Sequence, residues 1–131
     1  MLIKNVGVDS GMIMVADMDY LNDQKKRVPF SVEPIIRKVK NGIYTVAWSI
    51  KNTWNGDIDG WDTLKVTSGE IFISDPCYVI GGTSDEEWME WLTKTVYGDD
   101  LDDDRAFIIA SMGGDGSYNL KLDFELDPKE S

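Results

Sequence analysis

Two aspartates and two tyrosines recur in this sequence with the same spacing and could together form a site. Asp17 precedes Tyr20 by three residues, as Asp75 precedes Tyr78. Paired carboxylates can act as general acid and base, and a phenol can position a ligand through its hydroxyl. Equally, an aspartate after a strand often accepts backbone N–H bonds, while a tyrosine buries its ring. We favour the structural interpretation and keep a ligand pocket lined by both pairs as the alternative.

The two Asp-Tyr pairs belong to a longer internal repeat. Residues 8–20 and 66–78 align at a constant offset of 58 and share Val, Ser, Gly, Ile, Asp and Tyr. A second similarity, at an offset of 56, relates residues 59–66 to residues 115–122. We predict one domain over residues 1–131, with halves at about residues 1–62 and 63–126 related by pseudo-twofold symmetry. Residues 127–131 are expected to be a frayed tail.

The composition excludes several kinds of chemistry. The chain has 131 residues, no histidine and a single cysteine, Cys77. His-dependent hydrolases and His-based metal sites are therefore excluded, as are an intrachain disulfide and a structural zinc site. We expect no cofactor and no enzymatic activity; a carboxylate-dependent or calcium-dependent enzyme is the alternative that this composition still permits.

The net charge of −11 is concentrated in the second half of the chain. Residues 1–50 contain seven Lys and Arg against five Asp and Glu, whereas residues 51–131 contain six against nineteen. An acidic surface repels nucleic acids and anionic membranes and is complementary to a basic protein surface. The predicted partner-binding residues form one acidic loop: Asp99, Asp100, Asp102, Asp103 and Asp104. A solvated loop is our preferred alternative to calcium binding there.

The hydrophobic pattern predicts a mostly β protein (β-rich α+β), built as a small barrel or sandwich with one helix. Strands are expected at residues 3–8, 12–16, 35–40, 43–50, 63–66, 106–111 and 118–126. Asn41-Gly42 is typical of a type I′ hairpin turn between two of them. A capping box at Ser84 and Glu87 predicts an amphipathic helix over about residues 85–97. Residues 21–27 are expected to form a loop, because prolines follow them.

Two tryptophans lie in a segment rich in Asn, Gly and Asp, which we interpret as a second loop over residues 52–62. Trp54 and Trp61 are the tryptophans that this loop would leave free of the core. An exposed indole can stack on a ligand. These two residues are therefore candidates for a stacking platform.

One part of the sequence resembles a set of uncharacterised small proteins from bacteriophages and bacteria. The shared features are Val8-Asp9-Ser10-Gly11 before alternating apolar residues, and Asp75-Pro76-Cys77-Tyr78. Proteins of that set combine a Gly-Asp-Pro-Cys-Tyr motif with a later Gly-Asp-Gly turn before a strand that contains a tyrosine. In this chain Ser74 replaces the Gly of the first motif, and the later turn with its tyrosine corresponds to residues 114–118, which include Asp115 and Tyr118. The resemblance implies a phage context, and we add Asp115 and Tyr118 to the predicted ligand-binding residues.

Taken together, these features predict a non-enzymatic binding protein of the host cytoplasm. The first residues lack the apolar core of a signal peptide, and no run is long enough to span a bilayer. Such a phage accessory protein would act against host defence by blocking a host protein with a basic surface, or would sequester a small anionic ligand. We expect no direct contact with nucleic acid or membrane. A virion structural protein or a self-associating homo-oligomer is the alternative.

Overall fold

The computed structural model is built from two antiparallel sheets. It describes residues 2–9, 11–24, 32–54, 56–78, 103–110 and 115–128. The larger sheet contains, in spatial order, β1 (Leu2–Val8), β7 (Gly116–Leu126), β3 (Gly42–Thr53) and β4 (Gly56–Val66). The smaller sheet contains, in spatial order, β5 (Ile71–Ser74), β2 (Ile13–Asp17) and β6 (Ala106–Ile109). The predicted mostly β class is confirmed, and two separate sheets make the fold a sandwich.

The main core lies between the two sheets. Along β7 the side chains alternate, so that Tyr118, Leu120 and Leu122 are buried while their neighbours are exposed. Val15 and Ile73 of the smaller sheet belong to the same buried cluster. This alternation is what a strand with one solvated face requires, and it confirms the strand predicted from the pattern of β7.

The smaller sheet is covered on both faces, which explains why every residue of β2 is buried. Its second face packs against α1 (Met18–Gln24) in a separate cluster that contains Met14, Tyr20 and Leu21. A strand buried on both faces is apolar throughout rather than alternating. The sequence of β2, Ile-Met-Val-Ala-Asp, follows this rule until the aspartate that ends it.

Helix α1 corrects the prediction of a loop over residues 21–27 in its first four residues, 21–24; residues 25–27 lie outside the described residues. It begins directly after Asp17 and ends at Gln24, before the prolines on which that prediction relied. Its seven residues are too few to be stable alone, so packing must supply the stability. Tyr20 and Leu21, with 1% and 0% of their surfaces exposed, provide that packing.

The predicted hairpin at Asn41-Gly42 is wrong. Residues 35–40 are all described, and in place of the predicted strand they contain only an isolated bridge, between Ile36 and Ile71; the next strand begins at Gly42. A type I′ turn needs positive φ at both central residues. Gly42 has a φ of 151°, but among the described non-glycine residues only Lys38 has a positive φ, of 62°. The Val39 N–H instead donates to the Gly69 carbonyl at 2.8 Å.

The acid-rich segment that we predicted as a loop is largely the edge strand β4. The hairpin between β3 and β4 closes where Thr53 pairs with Gly56. Trp61 is therefore on a strand, and only Trp54 occupies the turn. Edge strands tolerate Asp and Gly because one side of the strand faces solvent, so the composition of this segment misled the prediction.

Several predicted features lie outside the described residues, among them the helix over about residues 85–97 and residues 129–131. The Asp127 N–H donates to the Ile43 carbonyl at 2.8 Å, so this part of the expected frayed tail is bonded to β3.

Val15 pairs with Ile73, its counterpart at the offset of 58. That register suits a twofold axis between β2 and β5, while the internal duplication itself stays a prediction. The described helices are all too short, or too polar, to cross a membrane.

Candidate functional site

Asp17 ends β2 and is completely buried. Its Oδ2 accepts hydrogen bonds from the Thr67 N–H at 3.0 Å and the Thr67 hydroxyl at 2.6 Å. Its Oδ1 accepts from the Ser68 N–H at 3.1 Å and from the Ser68 hydroxyl. The carboxylate thus holds the turn that precedes β5, where Gly69 has a φ of 72°. A buried carboxylate needs hydrogen-bond partners, and Asp17 finds all of them in this turn, which makes the contact a folding contact.

Asp75 occupies the matching place after β5 and is also completely buried. Its Oδ2 accepts from the Asp9 N–H at 2.7 Å, in the turn that precedes β2. Tyr78, in the 3-10 helix Pro76–Tyr78, donates its hydroxyl to the Asp9 carboxylate. Gly11 of that turn has a φ of 77°, close to the value at Gly69. Each aspartate therefore binds the turn before the strand of the other motif.

The two aspartates lie at opposite ends of the β2–β5 ladder. Asp17 pairs with Ile71, whereas Asp75 comes four residues later, directly after Ser74. At about 3.3 Å per residue the two backbones are roughly 13 Å apart. Carboxylate pairs that cleave a glycosidic bond are separated by roughly 5–9.5 Å. Asp17 is bonded to the turn before β5 and Asp75 to the turn before β2, so the two carboxylates are engaged at opposite ends of the ladder and do not act as an acid and base on one bond.

The two tyrosines differ in their surroundings. Tyr20 is buried, and the Arg105 guanidinium carbon lies 5.9 Å from the centre of its ring. Tyr78 has 53% of its surface exposed. Of the later motif, Asp115 is exposed before β7, and Tyr118 points into the core. In the part of the chain that the structure describes, these side chains do not converge on one pocket, and their role as ligand-binding residues stays a prediction.

Arg105 joins the acidic segment to α1. It forms a bidentate pair with Asp103, at 2.9 Å from Nε and 2.6 Å from Nη2, and a salt bridge with Asp23 at 2.9 Å. The side-chain hydrogen bonds from Arg105 hold the pKa of Asp103 below its usual value of 3.8, and the Asp103 contact is the first cause of the raised pKa of Arg105. Asp104 is exposed, and its carbonyl accepts from the Lys65 N–H at 2.8 Å.

The remaining members of the predicted partner-binding loop, Asp99, Asp100 and Asp102, lie outside the described residues. Within the described ranges no group of three or more Asp, Glu or Cys side chains is placed to hold a metal ion. The acidic-loop interface therefore stays a prediction, with Asp103 already paired to Arg105.

The solvent-facing side of the larger sheet contains an open groove of about 290 Å³. Its floor is formed at Ala47 and Ser49, two small residues on β3. The register places Ala47 between Trp61 of β4 and Asp123 of β7, and Ser49 between Asp59 of β4 and Lys121 of β7. Small residues in the middle strand and large ones on both neighbours create this depression.

Most of the side chains that line the groove are exposed. Trp61 has 67% of its surface exposed. In the described structure, Asp59, Lys121 and Asp123 form no salt bridge. Ile3, which pairs with Lys121 from the other edge strand, is 66% exposed and adds a second apolar side chain to this face.

Sequence reasoning found Trp61 but missed the groove around it. Alternation of small and polar residues in β3 at Thr45, Ala47 and Ser49 was the available sign of a solvated face. The neighbours of those residues depend on strand register, which residues far apart in sequence determine.

A scan against models of known protein families and searches of curated proteins and solved structures found no match to this chain.

Proposed function

We propose that this protein is a non-enzymatic binding protein whose groove on the larger sheet binds a basic segment of a partner protein. The observation that carries the proposal is an exposed indole, Trp61, beside two carboxylates, Asp59 and Asp123, that lack ion pairs in the described structure. An aromatic face attracts a cation, and a carboxylate can accept hydrogen bonds from the same guanidinium or ammonium group. The groove combines both groups around a floor of small residues.

The charges favour a cationic ligand over an anionic one. The groove has two carboxylates against one ammonium group, that of Lys121. The chain as a whole has a net charge of −11, which speeds the encounter with a basic partner at low salt. Sequestration of a small anionic ligand, the other half of the sequence-based prediction, receives less support from these side chains. The motif resemblance supports a host protein as the partner, met in the host cytoplasm by a phage accessory protein.

A labelled basic peptide tests the proposal in place of the natural partner. The probe is a fluorescein-labelled heptapeptide in which three arginines alternate with threonines, and its binding is followed by fluorescence anisotropy at about 50 and about 300 mM NaCl, on either side of physiological ionic strength. Exposed ion pairs each contribute about 0.2–1 kcal/mol, so Asp59→Asn combined with Asp123→Asn should weaken binding about 2- to 30-fold. The control is Glu33→Gln with Glu125→Gln, which removes the same charge from exposed positions that do not line the groove.

The tryptophans provide a second matched pair. Trp61→Ala removes the cation–π contact of about 0.5–1 kcal/mol and should weaken binding about 2- to 5-fold. Trp54→Ala removes an indole that is 79% exposed but lies at the turn, away from the groove, and should have no effect. Equal losses in groove and control variants would show diffuse charge attraction and contradict the proposal. Tighter binding of a peptide with glutamates in place of arginines would also contradict it.

A further inference from the structure

We infer that the basic partner segment binds as an added antiparallel strand on the outer edge of β4, which no described strand occupies. This inference rests on the proposed function and specifies how the partner is held. β4 is the last strand in the order of the larger sheet, and among described strands it forms its ladder with β3 alone. An open edge of this kind offers unpaired N–H and C=O groups to an extended peptide.

The backbone groups that face the open edge can be identified. The Lys65 N–H donates to the Asp104 carbonyl at 2.8 Å, so the backbone of Lys65 points away from β3. Backbone groups alternate in direction along a strand, as side chains do. The N–H and C=O groups of Asp59, Trp61 and Thr63 therefore also point to the edge. The same three residues have their side chains on the solvent-facing side of the sheet.

A contact at Thr63 supports this direction. The Thr63 N–H donates to Oδ1 of the preceding residue, Asp62, at 2.7 Å. A side chain adjacent in sequence thus satisfies a group that a strand partner would otherwise bind. An incoming strand can replace this local bond with a backbone carbonyl.

The charges on β4 favour a basic strand over a second copy of this chain. β4 contains three aspartates, Asp57, Asp59 and Asp62, and one basic residue, Lys65. β4 therefore has a net charge of −2, and pairing two copies of it would bring two negatively charged strands together, which is unfavourable. Natural edge strands use charges in this way to avoid pairing with themselves.

The added strand would also place its basic side chains at the groove. The residue opposite Trp61 would form a backbone hydrogen-bonded pair with it, with Cα atoms about 5.5 Å apart and both side chains on the solvent-facing side. A long arginine or lysine side chain there can lie across the indole and reach Asp59. Backbone hydrogen bonds would supply affinity, and the groove would select the side chain.

N-methylated peptides separate strand addition from simple binding in the groove. The probes are two isomers of the alternating arginine-threonine peptide, with backbone N-methyl groups on the three arginines or on three of the threonines. Both have the same charge and side chains. In the inferred arrangement only the arginine N–H groups face β4, so methylation there should weaken binding at least about 10-fold relative to the threonine isomer. Amide hydrogen exchange followed by NMR should slow at Asp59, Trp61 and Thr63 when the unmethylated peptide is bound.

The outcomes distinguish this inference from the proposed function. If both isomers bind as tightly as the unmethylated peptide and edge amides exchange at the same rate, groove binding holds but strand addition is overturned. If no arginine peptide binds, both proposals fail. Edge amides that become protected with rising protein concentration, in the absence of peptide, would show that a second copy occupies the edge and would overturn the inference.

Discussion

Replacing Asp17 by asparagine should destabilise the protein by about 2–4 kcal/mol. Each carboxylate oxygen accepts one backbone N–H and one hydroxyl, from Thr67 at Oδ2 and from Ser68 at Oδ1. Asparagine keeps one oxygen as an acceptor. Its NH₂ group replaces the other oxygen and cannot accept hydrogen bonds from the donors that it faces. Charge-assisted hydrogen bonds contribute about 1.5–3 kcal/mol, and a part-buried backbone N–H that loses its acceptor costs up to about 1–3 kcal/mol.

The loss is smaller than the full sum of these contacts, for a structural reason. The Thr67 hydroxyl also lies 2.6 Å from Oδ2 of Asp19, so it keeps an acceptor in the variant. The Ser68 hydroxyl can rotate and accept from the new NH₂ group instead of donating. At most one backbone N–H then remains without a partner, which gives the estimate of about 2–4 kcal/mol.

Urea unfolding at pH 7, followed by far-UV circular dichroism, measures this difference at constant m-value. In a chain of this length the melting temperature should fall by about 10 °C. Asp115→Asn is the matched control, because Asp115 is exposed, and its stability should change by less than about 0.5 kcal/mol. An Asp17→Asn variant as stable as this control would refute the structural role. If that stable variant also lost binding of a ligand, the pocket interpretation of the repeated aspartates would be the better one.

Two further substitutions test the packing and the ion pair. Gly60→Ala should destabilise by about 1–3 kcal/mol, because its Cβ would lie 2.7 Å from Cζ2 of Trp48, whereas Gly7→Ala, with no atom within 4 Å, should be neutral in the same urea titration. Asp103→Asn should cost about 1 kcal/mol at pH 7 by removing the bidentate pair with Arg105. Since the folded protein lowers the pKa of Asp103, this stabilisation is lost as the pH falls below about 4. The free energies of unfolding of the variant and the unmodified protein should therefore converge at low pH. A difference that persists there would contradict the ion-pair explanation.

The strands with a clear hydrophobic period were predictable from sequence, and β7 shows why. Its apolar residues alternate strictly with polar ones, and the structure buries Leu120 and Leu122 while exposing Asn119 and Lys121. Burial of one face is a local consequence of the pattern, because side chains alternate along any strand. Nothing beyond the strand itself is needed to predict it.

The predictions that failed depended on distant contacts. Asn41-Gly42 favours a tight hairpin locally, but Ile36 and Val39 form backbone hydrogen bonds with Ile71 and Gly69. Those bonds hold the segment along the smaller sheet, so β3 pairs with the later strand β4. The local turn preference stabilises the chain less than the several backbone hydrogen bonds that this arrangement makes. The sequence near residue 41 does not show that these hydrogen bonds form.

The candidate site was only partly predictable for the same reason. Trp61 could be selected as an exposed aromatic, but its neighbours could not. Ala47 lies across from it only through the β3–β4 register, and Asp123 reaches the same row only through the β3–β7 register. A shift of one residue in either ladder would move these side chains to the other face of the sheet.

The pattern of the repeat favours the sheet face over the repeated motif as the proposed binding site. Asp17 accepts two backbone N–H groups and Asp75 accepts one, each from the turn before the other strand, so folding alone explains why both positions are Asp. Carboxylates that are buried and engaged in this way have little capacity left for a ligand. Trp61 is different: at the offset of 56 its counterpart is Ser117, while the neighbouring Asp and Gly are retained. An exposed indole contributes little to folding, so its presence at a position where the repeat diverges is better explained by contact with a partner.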